Sequence, residues 1–211
     1  SGWSFPTWPV EWYGKGLAPH LAGVVNAVRR DVGVVPPPAG IAQNLAGPTI
    51  IAHGTDEQKQ RWLPGIVGGE VWCQLFSEPG AGSDLASLQT RAVRDGDEWV
   101  VNGQKVWTSG AQFARYGILI ARTDPDLPKH QGLSYFVIEM DQPGVEVRPI
   151  REMSGRAIFN EVFFTDARVP ARNLLGELGG GWGVALTTLA NERTMLGAAS
   201  FGSAGGGMAI T

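Results

Sequence analysis

The stretch that decides the fold runs Leu75-Phe76-Ser77-Glu78-Pro79-Gly80-Ala81-Gly82-Ser83-Asp84-Leu85. Pro79 fixes one φ angle, and Gly80 and Gly82 permit backbone conformations that a Cβ forbids. Successive backbone N–H groups in such a loop can converge on an anion such as a phosphate. Ser77 and Ser83 add hydroxyls that donate or accept at either end. A glycine-spaced loop is either a surface turn or a ligand cradle, and its surroundings decide between the two.

Downstream of the loop, from about Val71 to Gly176, the apolar period is that of strands. Glu98-Trp99-Val100-Val101 and Gln104-Lys105-Val106-Trp107 flank Asn102-Gly103, a pair that predicts a two-residue hairpin turn. Gly117–Ala121, Ser134–Ile138 and Glu161–Phe164 are further β-rich runs bounded by turn residues. Strands without intervening helices predict a small barrel or sandwich. A parallel α/β sheet is excluded because alternating helices and a Gly-x-Gly-x-x-Gly turn are both missing.

Upstream, to about Gly69, the pattern is helical. Leu17, Leu21, Val24, Val25 and Val28 share one face of a helix predicted over Leu17 to Val28, before Pro36-Pro37-Pro38. Thr55-Asp56-Glu57-Gln58 reads as a capped helix start, with the helix ending near Pro64. A last helix opens at Gly179-Gly180-Gly181 and runs to about Ala199. Its apolar face carries Trp182, Ala185, Leu186, Leu189 and Leu196, with Thr187, Asn191 and Thr194 opposite. Glu192 and Arg193 fall on the two flanks. A charge there is costly unless it is paired, exposed at the edge or used.

The chain has 211 residues, 43% of them hydrophobic, enough for a core of one or two domains. A net charge of -3 argues against a general nucleic-acid or acidic-membrane surface. Cys73 is the single cysteine, so no intrachain disulfide forms, and a reducing, cytoplasmic compartment is expected. The longest apolar runs are too short to cross a bilayer. His20, His53 and His130 lack ligand-like spacing, and no metal site is expected. Asp124-Pro125-Asp126 reads as a loop rather than a calcium site.

The Leu75–Leu85 segment resembles the first sequence signature of the acyl-CoA dehydrogenase family, flavoenzymes that bind FAD and oxidise acyl-CoA thioesters. The resemblance extends upstream to Gly47-Pro48, His53–Lys59 and Trp62-Leu63-Pro64. Downstream it covers Asn102–Gly110, Glu161–Phe164, Arg168-Val169-Pro170 and Asn191-Glu192-Arg193, all in the family's order. Phe76 departs, standing where a small aliphatic residue is usual. The resemblance implies an α+β multi-domain fold. Residues 1–70 would form part of an N-terminal helical domain and 71–176 a middle β-barrel domain. Residues 177–211 would begin a truncated C-terminal helical bundle. The chain starts inside the first domain and stops where the family continues, so a fragment is expected.

By that resemblance, Gln74, Phe76, Ser77, Gly82 and Ser83 line the flavin. Ser77 meets the isoalloxazine ring, and Gly82 and Ser83 meet the pyrophosphate. Trp107, Thr108 and Ser109 form a second flavin segment in which Trp107 covers the ring; a plain core role for this indole is the alternative. Ser83, Ala190, Asn191 and Arg193 match substrate contacts, although Ala190 replaces an acidic or polar residue often found there. The implied reaction is α,β-dehydrogenation of an acyl-CoA to a trans-2-enoyl-CoA. A carboxylate takes the α-proton, which is only weakly acidic, so the base must be close and desolvated. The developing enolate is held by preorganised hydrogen bonds, and FAD takes the hydride.

Most family members carry the base in the C-terminal domain. A minority, including isovaleryl-CoA and long-chain members, carry it immediately before the arginine, where Glu192 stands. Either placement is open from sequence. A non-catalytic or truncated subunit serving binding or assembly is the other functional class. The resemblance further implies an acyl-CoA substrate, electron-transfer flavoprotein as acceptor, and a homo- or hetero-oligomer.

Overall fold

The computed structural model describes residues 2–203, with side chains through Met195. After a 3-10 turn at Pro19–Leu21, helix α1 spans Ala22–Asp31. A π-helical segment, Ala42–Ala46, runs into α2, Gly47–His53, and α3 follows over Asp56–Val67. Thr55 caps α3 reciprocally: its hydroxyl accepts the Gln58 N–H while the Gln58 side chain accepts the Thr55 N–H. The expected end near Pro64 is overtaken by one turn. Leu63 and Ile66 are fully buried, and their packing outweighs the hydrogen bond that a proline removes.

The first helix also departs from expectation. It begins at Ala22 rather than Leu17, and none of its residues is buried. Its Val24–Val25–Val28 face lines a shallow apolar groove with Trp3, Val32 and Val34 instead of entering the core.

Eight strands form one sheet: β1 Trp72–Leu75, β2 Arg91–Asp95, β3 Glu98–Lys105, β4 Tyr116–Arg122, β5 Leu133–Glu139, β6 Val145–Pro149, β7 Asn160–Pro170 and β8 Leu174–Leu175. The order is β6-β7-β3-β2-β4-β5-β8, with β1 parallel to β4. The sheet curls so that β5 and β7 share an apolar core containing Phe136, Ile138, Val162, Phe164 and Val169. The other face of β4 and β5 carries Ile118, Ile120, Tyr135 and Val137 into a second core. That core also holds Trp62, Leu63 and Ile66 of α3. Burial on both faces explains why these two strands read as continuous apolar runs rather than alternating ones.

Helix α4, Gly181–Ser203, packs back on this second core through Val184 and Ala185. A buried hydroxyl chain fixes its register. Thr188 Oγ1 lies 2.9 Å from both Thr49 Oγ1 of α2 and Tyr135 Oη of β5. Beside it, His53 Nε2 lies 2.8 Å from Thr187 Oγ1. Thr187, expected on the polar side, is therefore part of the α2 contact. Leu196 lies outside the described side chains.

The hairpin turn is not at Asn102-Gly103. Strand β3 continues through both residues, and the turn joining β2 to β3 is Gly96-Asp97, with Asp95 paired to Glu98. Asn102-Gly103 instead forms a bulge against β7. Asn102 Nδ2 donates to Asp166 Oδ1, and Asn102 Oδ1 accepts the Asp166 N–H, both at 2.9 Å. Gly103 has φ 152°, and a Cβ there would lie 2.5 Å from Thr90 Oγ1. The dipeptide's tolerance of unusual backbone serves a bulge as well as a turn.

This placement separates two glycines. Gly103→Ala should destabilise by about 1–3 kcal/mol through overpacking against Thr90. Gly96→Ala, whose Cβ would meet open space, should cost about 1–2 kcal/mol for its left-handed φ alone. Urea midpoints for Gly103→Ala, Gly103→Val and Gly96→Ala measure the difference. A further large loss from alanine to valine is expected at 103, and equal tolerance of both side chains there would overturn the bulge assignment.

Candidate functional site

A cleft of about 650 Å³ opens between the sheet and α4. Most of the residues singled out from sequence meet there. Gln74, Phe76, Ser77, Gly82 and Ser83 line one wall, Trp107 and Ser109 a second, and Glu192 and Arg193 a third. Ile41, Leu85, Val106, Phe159, Trp182, Leu186 and Leu189 complete it. On α4, Trp182, Leu186, Leu189 and Arg193 recur at i, i+4, i+7 and i+11, one stripe facing the cleft. The apolar face read from sequence is thus divided, since Val184, Ala185 and Thr188 form the buried seam.

Three expected residues lie elsewhere. Thr108 is buried beside the wall. Its N–H donates to Asn160 O and its carbonyl accepts the Asn160 N–H, each at 3.0 Å. Its Oγ1 is buried without a partner among the described residues. Ala190 is exposed and off the cleft wall. Asn191 lines a different groove, with Thr194, Met195 and the proline segment Pro36–Pro38. With about 100° per residue, the helix turns Glu192 and Arg193 toward the cleft and leaves Asn191, one step further round, on the side facing the proline segment.

Two segments of the wall are held together by a buried ion pair that the sequence pattern did not reveal. Lys105 Nζ lies 2.9 Å from Glu78 Oε1 and also donates to Phe76 O at 3.0 Å. One position on, the Val106 N–H donates to Ser77 O at 2.9 Å. Glu78 also accepts the Gln89 N–H at 2.6 Å and the Thr90 N–H at 2.9 Å. The loop is therefore clamped to the end of β3. Alternation along β3 carried the missed signal: Trp99, Val101 and Lys105 lie on its buried face. A lysine at an inward position demands a partner.

Burial pushes Glu78 upward, but Lys105 and the donors around the carboxylate outweigh it and hold it below the ordinary range. Desolvation brings Lys105 down to about 8, opposed by Glu78, so the ammonium is the form present at neutral pH.

The clamp also fixes the segment after β3. Trp107 has φ 60°, a left-handed backbone that a bulky residue rarely adopts, and the residue is 61% exposed. Its edge-to-face contact with Phe159 has centroids 6.0 Å apart. The Thr108–Asn160 bonds and the Gly110 N–H to Ile158 O bond hold the segment in that conformation. The strained backbone projects the indole into the cleft. Phe76, by contrast, packs edge-to-face on Tyr135 and is almost wholly buried. Its larger ring is thus accommodated in the core.

Among the described residues, the hydroxyls of Ser77, Ser83 and Ser109 engage no protein partner. The same holds for the N–H groups of Gly82 and Ser83. Across the cleft, Gln74 Nε2 donates to Glu192 Oε2 at 3.2 Å. The Cys73 thiol is buried and pushed far up by desolvation, which makes it inert. No group of three metal-ligating side chains occurs among the described residues. Nor, among them, is any helix long and apolar enough to cross a membrane.

The helical unit and the curled sheet thus form a two-part architecture with the cleft under α4. The sequence matches the acyl-CoA dehydrogenase N-terminal domain over residues 1–70 and the acyl-CoA dehydrogenase middle domain over residues 73–167. The chain belongs to the acyl-CoA dehydrogenase family. It is 50% identical over 192 residues to acyl-CoA dehydrogenase FadE34 of Mycobacterium tuberculosis, spanning 90% of this chain and 27% of that protein. It is 49% identical to acyl-CoA dehydrogenase IpdE1 of the same organism, spanning 88% of this chain and 49% of that one. Among solved structures, the Tcur3481-Tcur3483 steroid ACAD aligns with a TM-score of 0.79 at 41% identity, covering 91% of this chain and 50% of that chain. The chain thus spans half or less of the length of these relatives.

The ion pair gives a sharp expectation. Lys105→Met alone leaves an uncompensated buried carboxylate and should cost about 3–5 kcal/mol, whereas adding Glu78→Leu should recover much of that loss. Because the folded-state value of Glu78 is depressed, its stabilisation is present above the unfolded-state carboxylate pKa of about 4.3 and is lost as pH falls through the lower folded value. Thermal melts below pH 5 should therefore show a shallower acid dependence in Glu78→Gln than in the wild type. An unchanged slope would count against the depressed value.

Proposed function

We propose that this chain forms part of an FAD-dependent enzyme that dehydrogenates an acyl-CoA thioester to a trans-2-enoyl-CoA. One observation carries the reading: a strained, exposed Trp107 and a set of unengaged donors share a cleft with a single carboxylate, Glu192. Family membership supplies the chemical class. The cleft volume lies within the range of cofactor and small-molecule sites. Its wall combines aromatic surface for a flat ring with free hydroxyls and amides for heteroatoms and phosphate oxygens. That donor set fits FAD.

In this reading Trp107 and Ser109 hold one side of the flavin, and Phe76 and Ser77 the other, with Gln74 beside them on the same wall. Gly82 and Ser83 offer their N–H groups to the pyrophosphate. Bound FAD supplies the acceptor for the β-hydride, which no side chain provides. Glu192 takes the α-proton onto its carboxylate, and Leu186, Leu189 and Trp182 exclude water from that transfer. Arg193, on the cleft wall, holds polar parts of the CoA arm. Ser83 lies where it can serve both ligands. Ala190 and Asn191, off this cleft, have no part in the contact.

The reduced cofactor passes its electrons to a separate carrier, for which electron-transfer flavoprotein is the proposed acceptor. An oligomer completes the assembly, a proposal supported by the ChsE4-ChsE5 complex of Mycobacterium tuberculosis, a relative of two different chains. The steroid ACAD similarity supports a bulky ring-bearing acyl group as one substrate class.

The test uses the full-length protein. Glu192→Gln should retain the flavin absorption band after desalting while losing at least about 100-fold in turnover, the lower end of what a general base contributes. Turnover within a few-fold of wild type would remove Glu192 from the role of base. Trp107→Ala should weaken flavin retention with the fold intact by circular dichroism.

A further inference from the structure

We infer that Gln74 is a positioning residue for Glu192. The inference rests on the reading of Glu192 as base and adds what holds that base in place. Gln74 lies on β1, where it pairs in register with Ile118 of β4, a fully buried position in the sheet. Its backbone therefore has little freedom to move. Glu192 lies on α4, whose described side chains are anchored only as far as Thr188 by the Tyr135 and Thr49 hydroxyls. From there to Glu192 is a full helical turn with no other polar tie, among the described residues, from the carboxylate to the sheet. The 3.2 Å bond from Gln74 Nε2 to Glu192 Oε2 is, among the described residues, the only hydrogen bond that either side chain makes.

The chemistry of the two groups sets the direction of that bond. An ionised carboxylate only accepts, so the amide nitrogen of Gln74 must face it and the amide oxygen must face away. With Oε2 engaged, Oε1 is left free to meet a substrate proton from inside the cleft. A glutamate tethered by its helix alone would otherwise sample several rotamers, few of them productive. Gln74 thus has a role other than lining the flavin: it restricts the carboxylate to one orientation.

A structural role and a positioning role differ in what they couple to. Gln74→Met keeps the volume and flexibility of the side chain and removes the donor, so the packing of β1 is retained. In the full-length protein it should bind FAD at wild-type stoichiometry after gel filtration and keep KM within about twofold. Its kcat should fall about 10- to 100-fold, the scale of a misplaced reacting group. In a Glu192→Gln background the same substitution should have no further effect on residual turnover. Wild-type kcat for Gln74→Met overturns the inference, as does an equal loss in both backgrounds. Loss of FAD from Gln74→Met would overturn it too, by assigning the residue to the cofactor instead. If Glu192→Gln itself keeps its turnover, the base reading fails and this inference falls with it, a pattern distinct from failure at Gln74 alone.

Discussion

The site depends on one buried charge pair. Lys105 at the end of β3 and Glu78 in the glycine-spaced loop are both removed from water, and each is tolerable only because the other is there. A carboxylate at 78 also collects the N–H groups of Gln89 and Thr90, while the ammonium at 105 collects the carbonyl of Phe76. These bonds tie three separate chain segments to a single point. The unengaged Ser77 hydroxyl and the strained Trp107 lie close by in sequence, one residue before Glu78 and two after Lys105. Without the pair, a proline- and glycine-containing loop has no reason to hold its donors in one arrangement.

That clamp explains how a β domain offers a rigid wall beside an otherwise helical surface. The opposite wall is α4, which reaches the sheet through Val184, Ala185 and the Thr188 hydroxyl. One stripe of α4 serves packing and the adjacent stripe, Trp182–Leu186–Leu189–Arg193, serves the cleft. A helix used on both stripes is apolar over more than half its circumference. This is why a single apolar face described it poorly from sequence.

Much of this architecture is legible in the sequence, for identifiable reasons. The loop stands out because proline, glycine and serine at fixed spacing make a turn that can also cradle a ligand, and the motif segments on either side favour the cradle. The capping box at Thr55 and Gln58 involves neighbours in sequence, and local interactions are readable locally. The misses are non-local or ambiguous. Asn102-Gly103 suits a bulge as well as a turn, and only the contacts with Asp166 and Thr90 distinguish them. The Gly96-Asp97 pair, also a two-residue turn signal, marks the turn that forms. Strand β1 pairs in parallel with β4, far along the chain, and leaves no hairpin cue. Thr108 and Asn191 fall within motif segments that as a whole reach the cleft, but neighbouring side chains point differently. Motif membership does not settle direction.

A crystal structure of the full-length protein loaded with flavin tests the role of the cleft most directly. The ring system should lie between Trp107 and the Phe76–Ser77 segment, with the Lys105–Glu78 pair intact behind it and Glu192 facing the ring while bonded to Gln74. A flavin bound outside this cleft, or Glu192 turned away from it, would contradict the assignment of the site.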